Sequence, residues 1–235
     1  MLRNGSYLVF RQLSQDVGGF WRFADGATRR ADGSSDPDAR LRLAAKMVGR
    51  WPSGAPLALA PDADDPSLAE ANDFAYHAND PRGARCPVGS HIRRSNPRDS
   101  LDPNPGSEGS FEINRRHRIL RRGREYGPAL PLERALAEPD SAERGLHFIC
   151  LNANLARQFE FVHHTWLNNR KFGIRARQCA GRRKGFRHRI SKRRRHAGCG
   201  GSSSASRWAI WSRSNSLRFF SLRTTSSSTG CSIAA

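Results

Sequence analysis

The chain has 235 residues and a formal net charge of +19, from 40 Lys+Arg against 21 Asp+Glu. That length fits one domain or two. No apolar run nears the roughly 18–20 residues of a membrane-spanning helix, and the start, MLRNGSYLVFRQL, lacks the apolar core and small-residue cleavage site of a secretion signal.

The charge is unevenly placed. Residues 1–170 hold 24 basic and 21 acidic side chains, whereas residues 171–235 hold 16 basic and no acidic ones. The first part is thus near-neutral and of ordinary globular composition, and the second carries almost all the excess. Cys86, Cys150, Cys179, Cys199 and Cys231 are odd in number and widely spaced, with no CxxC between them. Zinc ribbons, disulfide frameworks and covalent haem attachment therefore lack their signatures.

In chain order, YLVFRQL (Tyr7–Leu13) predicts a strand, and its apolar character places that strand at the centre of a sheet. Asp36-Pro37 predicts a helix start, with the aspartate as N-cap and the proline at the first helical position. Leu41, Ala44, Val48 and Trp51 recur at helical spacing, and Gly49 and Pro52 end the helix. From Ser53 to Asn114 the chain is rich in Pro, Asp, Gly and Asn, with little periodicity. A loop this long is expected to be functional or disordered. Arg118-Ile119-Leu120 is a short strand candidate, with turn signals at Gly123 and Gly127-Pro128. LHFICL (Leu146–Leu151) is the clearest second strand. It runs into a helix whose Leu155, Phe159, Val162 and Trp166 form one stripe, with Asn152 or Asn154 able to cap its start. This order is most of a ferredoxin-like split βαβ unit without its closing strand.

Two polar segments stand out. CPVGSHIRRSNPRD (Cys86–Asp99) sets a histidine before two arginines, which reads as an anion site or as a plain surface loop. NRRHRILRRGREYGP (Asn114–Pro128) gathers Arg115, Arg116, His117, Arg118, Arg121, Arg122 and Arg124, an anion or nucleic-acid patch or simply a solvated face.

Together with NGSYLVFRQL (Asn4–Leu13), VGRWPSGAPL (Val48–Leu57) and GLHFICLNANLARQFEFVHHTWLNN (Gly145–Asn169), these segments resemble the C-terminal half of the dye-decolorising (DyP-type) haem peroxidases. The resemblance runs over residues 4–173, with the five blocks in the family's order. It implies an α+β, ferredoxin-like half-domain of the dimeric α+β barrel type, incomplete here, over residues 1–173. The implied cofactor is haem b, with iron bound by His91. The resemblance further implies Glu160 as the carboxylate that takes the other ring proton of that histidine, and Arg121 as the distal arginine, with Arg122 the alternative register. Phe148 is implied as the apolar residue over the distal face. Arg93 or Arg94 is implied as the partner of a haem propionate. The implied reaction is reduction of hydrogen peroxide with oxidation of organic donors.

Two departures qualify that expectation. The family's GxxDG motif is missing, since Asp25-Gly26 and Asp32-Gly33 carry Arg22 and Arg29 where the first glycine belongs. Residues 174–235 form a Ser/Arg-rich tail without Asp, Glu, Pro, Val or Tyr. We expect that tail to be disordered and to derive from a shifted reading frame. Two further readings stand beside the peroxidase. One is an inactive or misfolded product of a truncated gene. The other is non-specific binding of polyanions by Arg182-Arg183-Lys184 and Lys192-Arg193-Arg194-Arg195. Without a signal peptide in the sequence given, the default location is cytoplasmic, and assembly into oligomers is left open.

Overall fold

The computed structural model of the chain describes residues 5–137, 139, 141–169 and 172, with the backbone of two short strands further on. Strand β1 (Tyr7–Ser14) leads into α1 (Val17–Ala27) and α2 (Pro37–Val48). A long irregular segment follows, with a 3-10 turn at Pro66–Leu68, the short helix α3 (His91–Ser95) and α4 (Glu108–Arg115). Next come β2 (Leu120–Arg121), β3 (Arg124–Tyr126), α5 (Leu132–Ala137) and β4 (Gly145–Asn152). A wide-wound helical stretch spans Ala156–Glu160 and Val162–Leu167. Beyond it, β5 (Trp208–Ile210) pairs antiparallel with β6 (Phe219–Ser221). The rest of residues 174–235, on which the expectation of an irregular tail falls, lies outside the described residues. The architecture is α+β with an antiparallel sheet, as expected of a ferredoxin-like half-domain.

Strand β4 is the middle of that sheet. β1 pairs along one side of it from Tyr7↔Asn152 to Ser14↔Gly145. β2 and β3 lie along the other side in one continuous register, Arg121↔Cys150 and Arg124↔His147. Between them Arg122 still donates its N–H to the Ile149 carbonyl at 2.9 Å. The expected central position of Tyr7–Leu13 is thus corrected: among the described residues β1 pairs on one side only. The reason is legible in its alternation. Tyr7, Val9, Arg11 and Leu13 turn inward while Leu8, Phe10, Gln12 and Ser14 are exposed, the period-2 pattern of a strand with one covered face.

Because residues directly opposite share a face, the register sorts the sheet's side chains. Arg11, Leu13, Arg121, Leu146, Phe148 and Cys150 lie on the inner face, and Phe10, Leu120, Ile149 and Leu151 lie on the outer one. Phe10 and Leu120 are about half exposed, at 49% and 51%.

Helix α1 was not legible in the sequence, since Gly18 and Gly19 weaken its local propensity. Asp16 caps it, accepting from the Gly19 N–H at 2.7 Å. Its apolar face then supplies Phe20, Trp21 and Ala24 to a core shared with Ala44 and Val48 of α2 and Ala135 of α5. Burying a large apolar side chain contributes about 1.5–3 kcal/mol, so tertiary packing overrides the two glycines. Helix α2 starts as expected: Asp36 accepts from Ala39 N at 3.0 Å, with Pro37 in the first turn. It ends at Gly49, whose φ of 96° is left-handed.

The segment Ser53–Asn114 is folded, and its Ala55, Leu57, Phe74, Tyr76 and Cys86 build a second core with Ala45 and Trp51. Two buried aspartates organise its turns. Asp80 accepts from the N–H groups of Ala84 and Cys86, and Asp99 from those of Tyr76 and His77. After β4, Asn154 rather than Asn152 caps the next helical stretch, accepting from Arg157 N at 2.9 Å. That stretch is not the expected α-helix. Glu160 N bonds to Leu155 O, and Asn168 N to His163 O, five residues back. Phe159, Val162 and Trp166 of the expected stripe nonetheless remain buried.

Candidate active site

One cavity of about 1000 Å³ brings together His91, Arg121 and Phe148. The sheet's inner face supplies Arg11, Leu13, Arg121, Leu146 and Phe148 to its wall. Helix α3 and the turn after it supply His91, Ser95, Asn96 and Arg98. The wide-wound stretch adds Phe159, Val162, His163 and Trp166. Asn72 to Ala75, residues of α4, Arg118 and Ile119 close the remaining sides.

His91 is the first residue of α3, and only 8% of it is exposed. A five-residue helix has no stability of its own in water, so its tertiary contacts decide where that imidazole stands. Arg121 faces the cavity because it sits opposite Cys150 on β4. Burial pushes its pKa below the ordinary arginine range, while the Cys150 sulfur beside it acts weakly the other way. It stays charged at neutral pH all the same. Arg122, one position on, alternates to the opposite face and donates instead to the Arg121 carbonyl at 2.9 Å. Phe148 lies on the wall with its ring 6.0 Å from that of Phe159. Burial raises the Cys150 thiol pKa, partly offset by the Asn152 amide that donates to its sulfur at 3.3 Å.

Three expected residues lie elsewhere. Arg93 is buried away from the cavity, where it pairs with the Asp80 carboxylate at 3.0 Å and donates to the carbonyls of Cys86 and Asp80. Arg94 donates through Nε to the Trp166 carbonyl at 2.9 Å and through Nη2 to that of Asn169. Glu160 is exposed and contributes nothing to the cavity wall.

Among the wall residues that sequence reasoning missed are Arg11 and His163. Arg11 holds its guanidinium 5.0 Å from the centre of the Phe159 ring, a cation–π contact. Its signal was available in the alternation of β1, which turns it inward beside Val9 and Leu13. His163 accepts at Nδ1 from the Asn168 amide at 3.2 Å. Its signal was its place four residues after Phe159, beside the expected stripe, where the two rings stack at 5.8 Å. Arg98, named only as part of its segment, also reaches the wall, with its guanidinium 3.8 Å from the Phe74 ring centre.

An imidazole, several guanidinium groups and aromatic side chains thus line one cavity. The chain is 39% identical over 180 residues to a dye-decolorizing peroxidase of Auricularia auricula-judae, covering 72% of this chain and 34% of that protein. It is 38% identical over 173 residues to a multifunctional dye peroxidase of Amycolatopsis, covering 72% and 35%. Over that stretch the chain is homologous to dye-decolorizing peroxidases. Solved dye-decolorizing peroxidases share its fold. One from Pleurotus ostreatus superposes with a TM-score of 0.63 at 32% identity, over 76% of this chain and 37% of that one. Another, described as engineered in its heme pocket, gives 0.58 at 36% identity, over 72% and 39%. The chain spans about a third of the length of the curated dye-decolorizing peroxidases it matches. No protein-family model matches it. Among the described residues, no helix is long and apolar enough to cross a membrane.

Proposed function

We propose that residues 5–169 form the haem-holding part of a dye-decolorizing-type peroxidase, with His91 as the iron ligand and Arg121 as the electrostatic catalyst. The observation that supports this most is their meeting on one cavity wall although they lie on α3 and β2. The residues present fit the group. Leu13, Leu146, Phe148, Phe159 and Val162 offer apolar contact to a flat macrocycle, and His91 offers the nitrogen that iron takes. Arg11 and Arg118 offer cations for its carboxylates, in place of Arg93 and Arg94, which are engaged elsewhere.

When bound, haem supplies the redox chemistry that turns peroxide reduction into oxidation of an organic donor. The chain's own residues hold and bias that chemistry. His91 would hold the iron, offering an imidazole nitrogen from α3. Arg121 faces the cavity with no carboxylate paired to it among the described residues. Cleavage of a hydroperoxide leaves negative charge on the departing oxygen, and a guanidinium fixed in a water-poor wall stabilises charge where it develops.

Titration of the full chain with hemin tests the proposal. A Soret band shifted from that of free hemin is expected, and His91→Ala abolishes the shift. Arg121→Leu keeps the shift and slows peroxide-driven dye oxidation by about 10²–10³-fold. A His91→Ala chain with an unchanged Soret band would overturn the assignment of the ligand.

A further inference from the structure

The group that carries His91 is a helix of five residues, His91–Ser95, and its N-cap Ser90 makes no side-chain cap bond. One turn of helix does not hold itself together in water, so an imidazole on it is only as fixed as the ties around it. Beside the bonds of Arg94 to the Trp166 and Asn169 carbonyls, one buried ionic tie lies outside the cavity. The Asp80 carboxylate accepts from Ala84 N at 2.6 Å, Cys86 N at 2.8 Å and Arg93 Nη1 at 3.0 Å. Arg93 in turn donates to the carbonyls of Cys86 at 2.7 Å and Asp80 at 2.8 Å, and its guanidinium lies 4.6 Å from the Tyr76 ring centre. Both partners of this ion pair are 3% exposed. Neither touches the cavity.

We infer that Asp80, through Arg93, is a positioning residue for the iron ligand: it fastens α3 to the turn at residues 80–86 and so sets where the His91 ring stands. This role rests on His91 being the ligand proposed above. The chemistry favours such a device. A buried carboxylate saturated by charged and backbone donors has one geometry of low energy, because any displacement leaves a buried charge unpaired. Arg93 is the residue two places after His91. Its side chain therefore leaves the helix on another side and anchors that helix without occupying the cavity. The planar fork of arginine is essential, since it reaches the carboxylate and two carbonyls at once. A lysine keeps the charge but cannot make all three contacts.

The test separates tethering from mere support of the wall. Asp80→Asn and Arg93→Lys are made in the full chain, each in the natural His91 background and in His91→Gly supplied with saturating imidazole. In the second background the ligand is no longer attached to α3. Hemin affinity, read from the Soret titration, is expected to fall at least tenfold in the His91 background. It changes less than twofold with free imidazole. In the haem-free chain, amide exchange over 91–95 speeds up while β1 is unchanged. Equal losses in the two backgrounds, or unaltered exchange over 91–95, would overturn the proposal. Arg93→Lys carries the same contrast if Asp80→Asn does not fold. A parent chain with no shifted Soret band removes the ligand role of His91, and the positioning role with it. In that case faster exchange over 91–95 in the variants shows that the tie to α3 is real and that the haem reading is what failed.

Discussion

Gly49→Ala tests how α3 is seated from the opposite side. Gly49 ends α2 with φ 96°, donating its N–H to the Ala45 carbonyl. Holding an L-residue in that left-handed conformation costs about 1–2 kcal/mol. There is also no room. A Cβ at Gly49 would stand 2.9 Å from Ile92 Cδ1, closer still to Cγ1, and 3.1 Å from Ser90 Oγ. Carbon–carbon contacts are most favourable at about 3.5–4.0 Å. Forcing the neighbours apart adds the about 1–3 kcal/mol typical of overpacking. The expected destabilisation is therefore about 2–5 kcal/mol, a large share of the about 5–15 kcal/mol that holds a domain folded. In urea, with a slope of about 2 kcal/mol/M, the midpoint falls by about 1–2.5 M. Because the clash is with α3, hemin affinity should fall together with stability. Ile92→Ala in the same chain removes the obstructing atoms, and the double variant should recover about 1–3 kcal/mol relative to the sum of the two single changes. A loss below about 1 kcal/mol for Gly49→Ala, or strictly additive costs in the double variant, would refute this account of how α2 and α3 meet.

Other expectations follow from the same structure. Hydrogen bonds from Ser35 and then Arg40 hold the Asp25 carboxyl below its usual pKa. Stability from that group is full above the unfolded value of about 4 and is lost as pH falls through the lower folded value, so Asp25→Asn should flatten the acid limb of a stability profile. On the outer sheet face, Phe10→Ser with Leu151→Ser should reduce concentration-dependent aggregation, read by light scattering, with little change in cooperative melting. Unchanged aggregation would mean that another surface drives it. Arg11→Met keeps the packing against Phe159 but removes a wall cation, so hemin should bind more weakly while the His91-dependent Soret position is retained. Residues 171–235 carry 16 basic side chains and no acidic ones, so binding to a homopolymeric RNA should collapse between about 50 and 200 mM salt, without preference among sequences.

Much of the secondary structure was legible because it is locally encoded. Asp36-Pro37 capped α2 as read, and the apolar character of Tyr7–Leu13 and of Leu146–Leu151 gave the two long strands. Helix α1 was not, since Gly18-Gly19 hides it until Trp21 and Phe20 find Ala44 and Val48. The wide winding after Asn154 was also hidden, because a stripe at 155, 159, 162 and 166 fits an α-helix equally well.

By itself the sequence determined the family blocks, the position of the charge excess and the residue types that can meet a metal or an anion. Tertiary structure alone decided which of them meet. Arg121 and Arg122 are adjacent in sequence, and strand alternation sends one to the cavity and the other away. Arg93 looks like a cavity cation on the page of letters, yet Asp80, far back in the loop, holds it in an ion pair elsewhere. Arg11 enters the site only because β1 has one covered face. Which side chains share a space depends on register and long-range burial, and neither is encoded in a residue's immediate neighbours.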